Sequence, residues 1–316
     1  MDVIVPVFNE EEVLVHLLYR LGETFSEKHC REHGIERCRI IFVDDGSTDS
    51  TASSLAEKIA GGFPGSLIRL SRNFGHQSAV SCGLDAASAD VVAIIDADLQ
   101  DPPELIFEML AQWRLGYHVI FGQRRNRKES AFLRLCYWGF YRLINLLAET
   151  ATANDSGDFC LMDRAVVAAM RRLPERLRYL RGLRSWVGFR QVGLPYDRPA
   201  RAAGDSKYSL RKLYKLATDG IASTSTRPLK FLQFIAFSLF VTTCMATAYI
   251  LWSGEIGVST LTSFSMLSAS IQMFGLYILG AYIGRTYLEV KQRPSYIVME
   301  VVEGPIKGFA DDFPRH

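Results

Sequence analysis

The chain predicts an α/β fold in which a doubly wound, mostly parallel sheet carries helices on both faces and is followed by two long apolar helices. Three observations carry that expectation. Short β-branched apolar runs alternate with helical patterns through the first half of the 316 residues. Acidic residues recur where those runs end, and two uncharged apolar stretches lie near the C-terminal end.

Val3 to Val7 reads as the first strand, and Glu10 to Phe25 as a helix with one apolar face of Val13, Leu14, Leu17, Leu18 and Leu21. Arg39 to Val43 is the second strand, ending in Asp44-Asp45-Gly46-Ser47, after which Thr48 or Asp49 caps a helix reaching Ile59. Leu67 to Leu70 is the third strand, Gln77 to Ala87 a helix, and Val91 to Ile95 the fourth strand. Alternate residues of a strand project to one side, so Asp96 and Asp98 should point together beyond its carboxyl end, where open sheets bind ligands. Val119 to Phe121 is a further strand, closing at Gly122-Gln123-Arg124, and Leu161-Met162-Asp163-Arg164 opens a helix after a loop that holds Asp158.

Two later helices mix aromatic and aliphatic residues with basic ones, as helices in a bilayer interface do: Ala131 to Glu149, with Arg134 and Arg142, and Ser209 to Ile221, with Arg211, Lys212 and Lys215. Phe231 to Trp252 and Phe264 to Ile283 are each long enough to cross a hydrocarbon core of about 30 Å as helix. The alternative is a pair of buried core helices. Arg227 and Lys230 precede the first stretch, Arg285, Lys291 and Arg293 follow the second, and the connection near Gly254 to Gly257 has no Lys or Arg. A transmembrane hairpin with both ends cytoplasmic, in a bacterial inner membrane, is the expectation. Gly280 and Gly284 permit close helix contact, and Tyr296 to Val302 alternates like a strand able to extend a sheet edge, a neighbouring subunit's included. A homo-oligomer is expected on these grounds. The expected division is an α/β domain over 1–205, an interfacial segment over 206–228, the hairpin over 229–286 and a cytosolic tail over 287–316.

The net charge of +2 hides an asymmetry: acids hold motif positions in the first hundred or so residues, whereas Arg and Lys crowd the stretch from Arg124 to Lys230. Such a basic stretch faces something anionic, with phospholipid and nucleic acid the candidates. Interleaving with membrane-seeking aromatics, and the lack of a recognisable module, argue against nucleic acid. The six cysteines form no Cys-x-x-Cys pair and no zinc spacing, so reduced thiols in a cytosolic setting are expected. No basic leader with an apolar region opens the sequence, so no secretory signal is expected.

Val3-Ile4-Val5-Pro6-Val7-Phe8-Asn9-Glu10-Glu11, Val43-Asp44-Asp45-Gly46-Ser47-Thr48-Asp49 and Asp96-Ala97-Asp98-Leu99-Gln100 follow one another, each at a strand exit. With Leu70-Ser71-Arg72-Asn73-Phe74-Gly75, Asp155-Ser156-Gly157-Asp158-Phe159 and Gly204-Asp205-Ser206-Lys207-Tyr208-Ser209, they make the chain resemble family 2 glycosyltransferases of GT-A fold over nearly its whole length. Within that family it is similar to the polyprenyl-phosphate glycosyltransferases. The resemblance implies that Pro6, Phe8, Glu10 and Arg72 line the nucleotide pocket, with Phe8 where many relatives have Tyr, and that Asp45 with Asp44 accepts from the base. It implies that Asp96 and Asp98 contact ribose and a metal, with Gln100 a neighbouring oxygen ligand; Mg²⁺ or Mn²⁺ suits such a set. On the acceptor side it points to Arg124, Arg134, Arg201 and Lys207 as phosphate ligands, with snorkelling to lipid headgroups the alternative for Arg134 and Arg201, and gives Asp158 a role in orienting acceptor or sugar, or in anchoring its loop.

The implied activity is inverting transfer of a sugar, best matched to glucose from UDP-glucose, onto polyprenyl phosphate. The chain has no Glu-Asp dipeptide of the kind that serves many inverting enzymes as base. A phosphate monoester has a second pKa near 6 and needs little help to ionise. A processive polysaccharide synthase would usually show Gln-x-x-Arg-Trp and more spans, and neither is found. A catalytically silent nucleotide-sugar scaffold is the alternative of another class, disfavoured by intact acids at every motif.

Overall fold

The computed structural model describes residues 1–124, 156–176, 178–197, 227–253 and 258–304. The described elements fall into two compact units. The first contains β1 (Asp2–Val7), α1 (Glu11–Thr24), α2 (Glu27–Glu32), β2 (Arg39–Asp44), α3 (Thr51–Ala60), β3 (Gly65–Leu70), α4 (His76–Ala86), β4 (Val91–Ile94), α5 (Leu105–Arg114), β5 (Val119–Arg124), β6 (Ser156–Asp163), α6 (Arg164–Arg171), α7 (Leu180–Trp186), β7 (Gln191–Tyr196) and β8 (Val298–Glu303). The second contains α8 (Arg227–Ser253) and α9 (Val258–Val290).

The eight strands form one sheet in the order β7-β5-β6-β4-β1-β2-β3-β8. The β1–β2, β1–β4, β2–β3 and β5–β7 pairs are parallel, and β3–β8, β4–β6 and β5–β6 are antiparallel. The sheet is therefore mixed, with its parallel half over β4-β1-β2-β3. Strand order reverses at β1, which has β2 on one side and β4 on the other, so the crevice between their carboxyl ends is the place for a ligand.

Alternation along each strand sends residues to opposite faces. Val3, Val5 and Val7 with Ile40, Phe42 and Ala93 pack under Leu14, Leu17 and Leu21 of α1, Leu55 and Ile59 of α3, and Ile106 and Met109 of α5. Ile4, Ile41, Val43, Val92 and Ile94 pack under Val80 and Leu84 of α4, Val166 and Met170 of α6, and Leu180 of α7. In α1 the buried leucines fall at helical spacing, and Leu17 and Leu21 have no exposed surface. Each such side chain stabilises the layer by about 1.5–3 kcal/mol, so the helix is held by its face rather than by intrinsic propensity.

Three expectations require correction. β4 ends at Ile94 and not Ile95, and Asp96 and Asp98 lie in the turn that follows, where Leu99 has φ +51°; strand alternation thus does not set their direction. Leu161 to Asp163 finish strand β6 rather than opening a helix: Asp163 ends the strand and its Oδ1 accepts from the Ala165 N–H at 2.7 Å, which starts α6 one residue later. Neither Thr48 nor Asp49 is the N-cap of α3, which is Ser50, although Asp49 Oδ1 does accept from the Thr51 N–H at 3.0 Å. The strand expected at 296–302 is present over Val298–Glu303, and it extends the sheet edge by pairing with this chain's own β3. Its start is tied down by the Ser71 N–H donating to the Ile297 carbonyl and the Tyr296 hydroxyl donating to Asp85, both at chain separations that only the fold closes.

In the second unit, α8 and α9 run for 27 and 33 residues. Among the described residues one helix segment, Phe264–Val290, is long and apolar enough to cross a membrane, and Phe234–Tyr249 is a shorter apolar stretch. The two helices meet where a Cβ on Gly275 would lie 3.6 Å from Leu232, whereas Gly280 and Gly284 have nothing within 4 Å and do not serve that contact. The expected interfacial helices at 131–149 and 209–221 lie outside the described residues.

Candidate functional site

At the exit of β1, Pro6 is buried opposite Val43 of β2, and Phe8 is 40% exposed. Asn9 then adopts φ +54° and locks the turn to the exit of β2: its side-chain oxygen accepts from the Thr48 N–H at 2.8 Å, and its own N–H donates to Ser47 Oγ at 3.0 Å. Glu10 precedes α1 with its N–H on Thr51 Oγ1, and burial together with the charges of Asp98 and Asp49 raises its carboxyl above the ordinary value. The charge of Asp98 is thus felt at Glu10.

Asp44 is fully buried, accepts from the Ser47 N–H and lies 3.7 Å from Arg69 Nε. Both oxygens of Asp45 accept backbone donors, Oδ1 from Phe74 at 2.7 Å and Oδ2 from Gly75 at 2.9 Å. Burial and Asp44 raise the Asp45 carboxyl despite these bonds. Gly46 has φ +71°, and a Cβ there would come within 2.7 Å of Asn73 N, so only glycine lets the β2 exit approach the loop after β3 this closely. Arg72 on that loop lays its guanidinium over the Phe74 ring at 4.1 Å.

Past β4 the carboxylate of Asp96 turns toward α4 and β6. Its Oδ1 is buried without a hydrogen-bond partner and lies 3.6 Å from His76 Nε2, the first residue of α4. The same nitrogen is 3.5 Å from Asp158 Oδ2 on β6. Arg181 on α7 grips that second acid side-on, Nε to Oδ1 at 2.7 Å and Nη2 to Oδ2 at 2.9 Å. Burial and the charges of Asp158, Asp101 and Asp98 push Asp96 up to about 6 against the pull of His76. Burial would also raise Asp158, but His76 and Arg181 outweigh it and hold its carboxyl far below the ordinary range. Burial opposes charge on His76 as well, yet Asp158 and Asp96 raise its imidazole above the ordinary value.

Asp98 Oδ1 accepts from the backbone N–H of Gln100, which is 5% exposed. Asp101, next to it, is buried and accepts from the Tyr196 hydroxyl, tying the loop after β4 to β7. The donors offered by Asp96, Asp98 and Gln100 are all oxygen, and an orphaned buried carboxylate oxygen is a group that a hard divalent cation satisfies. Among the described residues no three His, Cys, Asp or Glu side chains gather about a point that could hold a metal, so a cation here would need further oxygens from its ligand.

The structure thus brings together Asp96, Asp158 and Asp98 with Gln100, and places Phe8, Glu10, Asp44, Asp45 and Arg72 around the neighbouring strand exits. Arg124 ends β5 in register with Tyr196. Arg134, Arg201 and Lys207 lie outside the described residues. Sequence reasoning missed His76 and Arg181. His76 directly follows the Leu70 to Gly75 motif and was within reach, whereas Arg181 sits on a helix with no sequence signal.

A family model described as glycosyl transferase family 2 matches residues 2–171. Along nearly the whole chain, similarity extends to the uncharacterized glycosyltransferase YkcC of Bacillus subtilis (strain 168), 39% identical over 306 residues that cover 95% of this chain and 93% of that protein. The prophage bactoprenol glucosyl transferase homolog of Escherichia coli (strain K12) is 36% identical over 313 residues, 95% of this chain and 99% of that protein. The bactoprenol glucosyl transferase of Shigella phage SfII is 35% identical, with 96% and 99% covered. The matched region runs from the first residue of β1 to the last of α6 and takes in the Asp45, Asp96, Asp98 and Asp158 sites, and the chain accordingly belongs to glycosyltransferase family 2.

Proposed function

We propose that this glycosyltransferase moves glucose from UDP-glucose onto the phosphate of a polyprenyl phosphate, with inversion, at the cytoplasmic face of a membrane. The observation that carries the proposal is the reach of the likeness to bactoprenol glucosyl transferases, which extends through the apolar helices to 96% of this chain. On this proposal α8 and α9 form a transmembrane hairpin whose ends are cytoplasmic. Supporting it, Phe234, Phe237, Phe240, Met266, Phe274 and Ile283 are large apolar side chains left exposed along them.

Phe8 offers a half-exposed ring for packing base or ribose, and Asp45 fixes the 74–75 backbone that borders the pocket. Asp96, Asp98 and Gln100 would hold Mg²⁺ or Mn²⁺, which when bound neutralises the charge of the departing diphosphate. The acceptor phosphate is largely ionised at cytosolic pH and attacks without a general base. Asp158 fits such chemistry, since both its oxygens are engaged by Arg181 and it is a poor proton acceptor. Positioning and charge neutralisation then supply most of the rate.

The test is extraction of label into organic solvent after incubating the purified full chain with polyprenyl phosphate, Mg²⁺ or Mn²⁺ and a panel of radiolabelled nucleotide sugars. Label in lipid with UDP-glucose supports the proposal. Label with another donor alone would overturn the glucose assignment, and none with any donor the acceptor class.

A further inference from the structure

Arg181 stands outside the family-matched residues and outside every motif of the sequence, yet it reaches the centre of the crevice. It is carried on α7, whose first N–H, that of Leu180, donates to Gln77 Oε1 on α4 at 2.9 Å. Three residues on from Arg181, the buried Arg184 directs Nη1 and Nη2 to the Gly157 carbonyl at 3.4 Å each. Two arginines one helical turn apart thus seat α7 against the start of β6, one on the backbone before Asp158 and one on its carboxylate.

The exposures within this cluster are graded. Asp158 is 11% exposed, Arg181 35% and His76 42%, so the acid lies beneath and the basic groups reach toward solvent beside Asp96. A side-on pairing through Nε and Nη2 leaves the Nη1 end of the guanidinium turned away from Asp158, with two N–H donors. An arginine fixed in this way by a buried acid has little conformational freedom left to lose, and its remaining donors match phosphate oxygens.

We propose that Arg181 is a phosphate-contacting residue of this enzyme and that Asp158 is the positioning residue that aims it. The inference rests on the function proposed above, which brings two phosphate groups to the crevice, the donor diphosphate and the lipid phosphate. Either presents the same oxyanion to the free edge of Arg181.

Two measurements on the full chain in detergent separate the sources: the Kd for UDP beside that for uridine, and the KM for polyprenyl phosphate. Arg181→Gln should raise one of the two phosphate-dependent constants about ten- to hundredfold, the effect of losing a hydrogen bond to a charged group. Uridine affinity should be unchanged. A rise in the UDP constant assigns Arg181 to the donor, and a rise in the acceptor KM to the lipid phosphate. Arg181→Lys should recover part of the loss, because it keeps the charge without the planar fork. Both constants within about twofold of the unmodified enzyme, or a parallel loss of uridine affinity, would overturn the proposal. If Arg181→Gln fails to show a cooperative melt, the double variant Arg181→Gln/Asp158→Asn removes both charges together and is read in the same way. An unmodified chain that binds UDP and transfers nothing to lipid contradicts the proposed function instead, and the UDP constant alone then decides the case of Arg181.

Discussion

Asp98 and Asp96 have different surroundings although one residue separates them. Asp96 faces His76 and Asp158 and keeps a buried oxygen unpartnered, while the charge of Asp98 is felt at Glu10 and its Oδ1 accepts from the Gln100 N–H. With Asp98 among the ligands of the proposed cation, Asp98→Ala should lower the rate of sugar transfer by at least about 10²–10³-fold, the effect of removing one preorganised electrostatic group. Rates of label transfer at saturating donor check this, and a loss under about tenfold would show that Asp98 holds no cation. The acids themselves were legible in the sequence because they close apolar runs. Their different surroundings were not, because the left-handed Leu99 turn replaces the strand that alternation assumes.

At the scale of elements, β1, β2, β3 and β4 were legible because each is a short apolar run leading into an amphipathic helix. β6 and β7 were not. Ser156–Asp163 places Gly157 and Asp158 within a strand, and Gln191–Tyr196 carries Gly193 and Pro195, which an edge strand such as β7 tolerates and which hide any alternation. The boundary between β6 and α6 depends on Asp163, which caps the helix and also accepts from Trp113 Nε1 at 2.7 Å. Asp163→Ala should destabilise the fold by about 1–3 kcal/mol, from the lost cap and an indole left without its acceptor. Urea unfolding followed by tryptophan fluorescence measures it. A second local device lies at the opposite ends of the strands, where Asp2, 5% exposed, pairs with Arg39 and accepts from Ser88 and Ala89. Burial alone would raise the Asp2 carboxyl, yet these partners together bring it below 3.8. A carboxylate depressed in the folded state stabilises above its unfolded pKa, and that share is lost as pH falls from about 4 through the folded value. The urea midpoint should therefore drop between pH 5 and 3 (both ~), and Asp2→Asn should flatten that drop.

For the whole molecule, the proposed function assigns a different substrate to each unit. A mixed sheet gathers acids and backbone donors at the ends of β1, β2, β4 and β6, where a polar nucleotide sugar fits, while the long apolar helices suit an acceptor confined to a bilayer. The two long apolar helices were legible from composition and pattern, since each is a long run of mainly uncharged, apolar residues. That β8, beyond both long helices, returns to pair with β3 was only half legible: its alternation signals a strand, but pairing over so long a separation has no local signal. The central claim is that the sugar ends on the phosphate of the lipid without a protein base. The product of UDP-glucose and polyprenyl phosphate, examined by mass spectrometry and ³¹P NMR, tests it most directly. A phosphodiester carrying one hexose with inverted anomeric configuration is the predicted result; free glucose and UDP alone, or a sugar joined through a diphosphate, would contradict it.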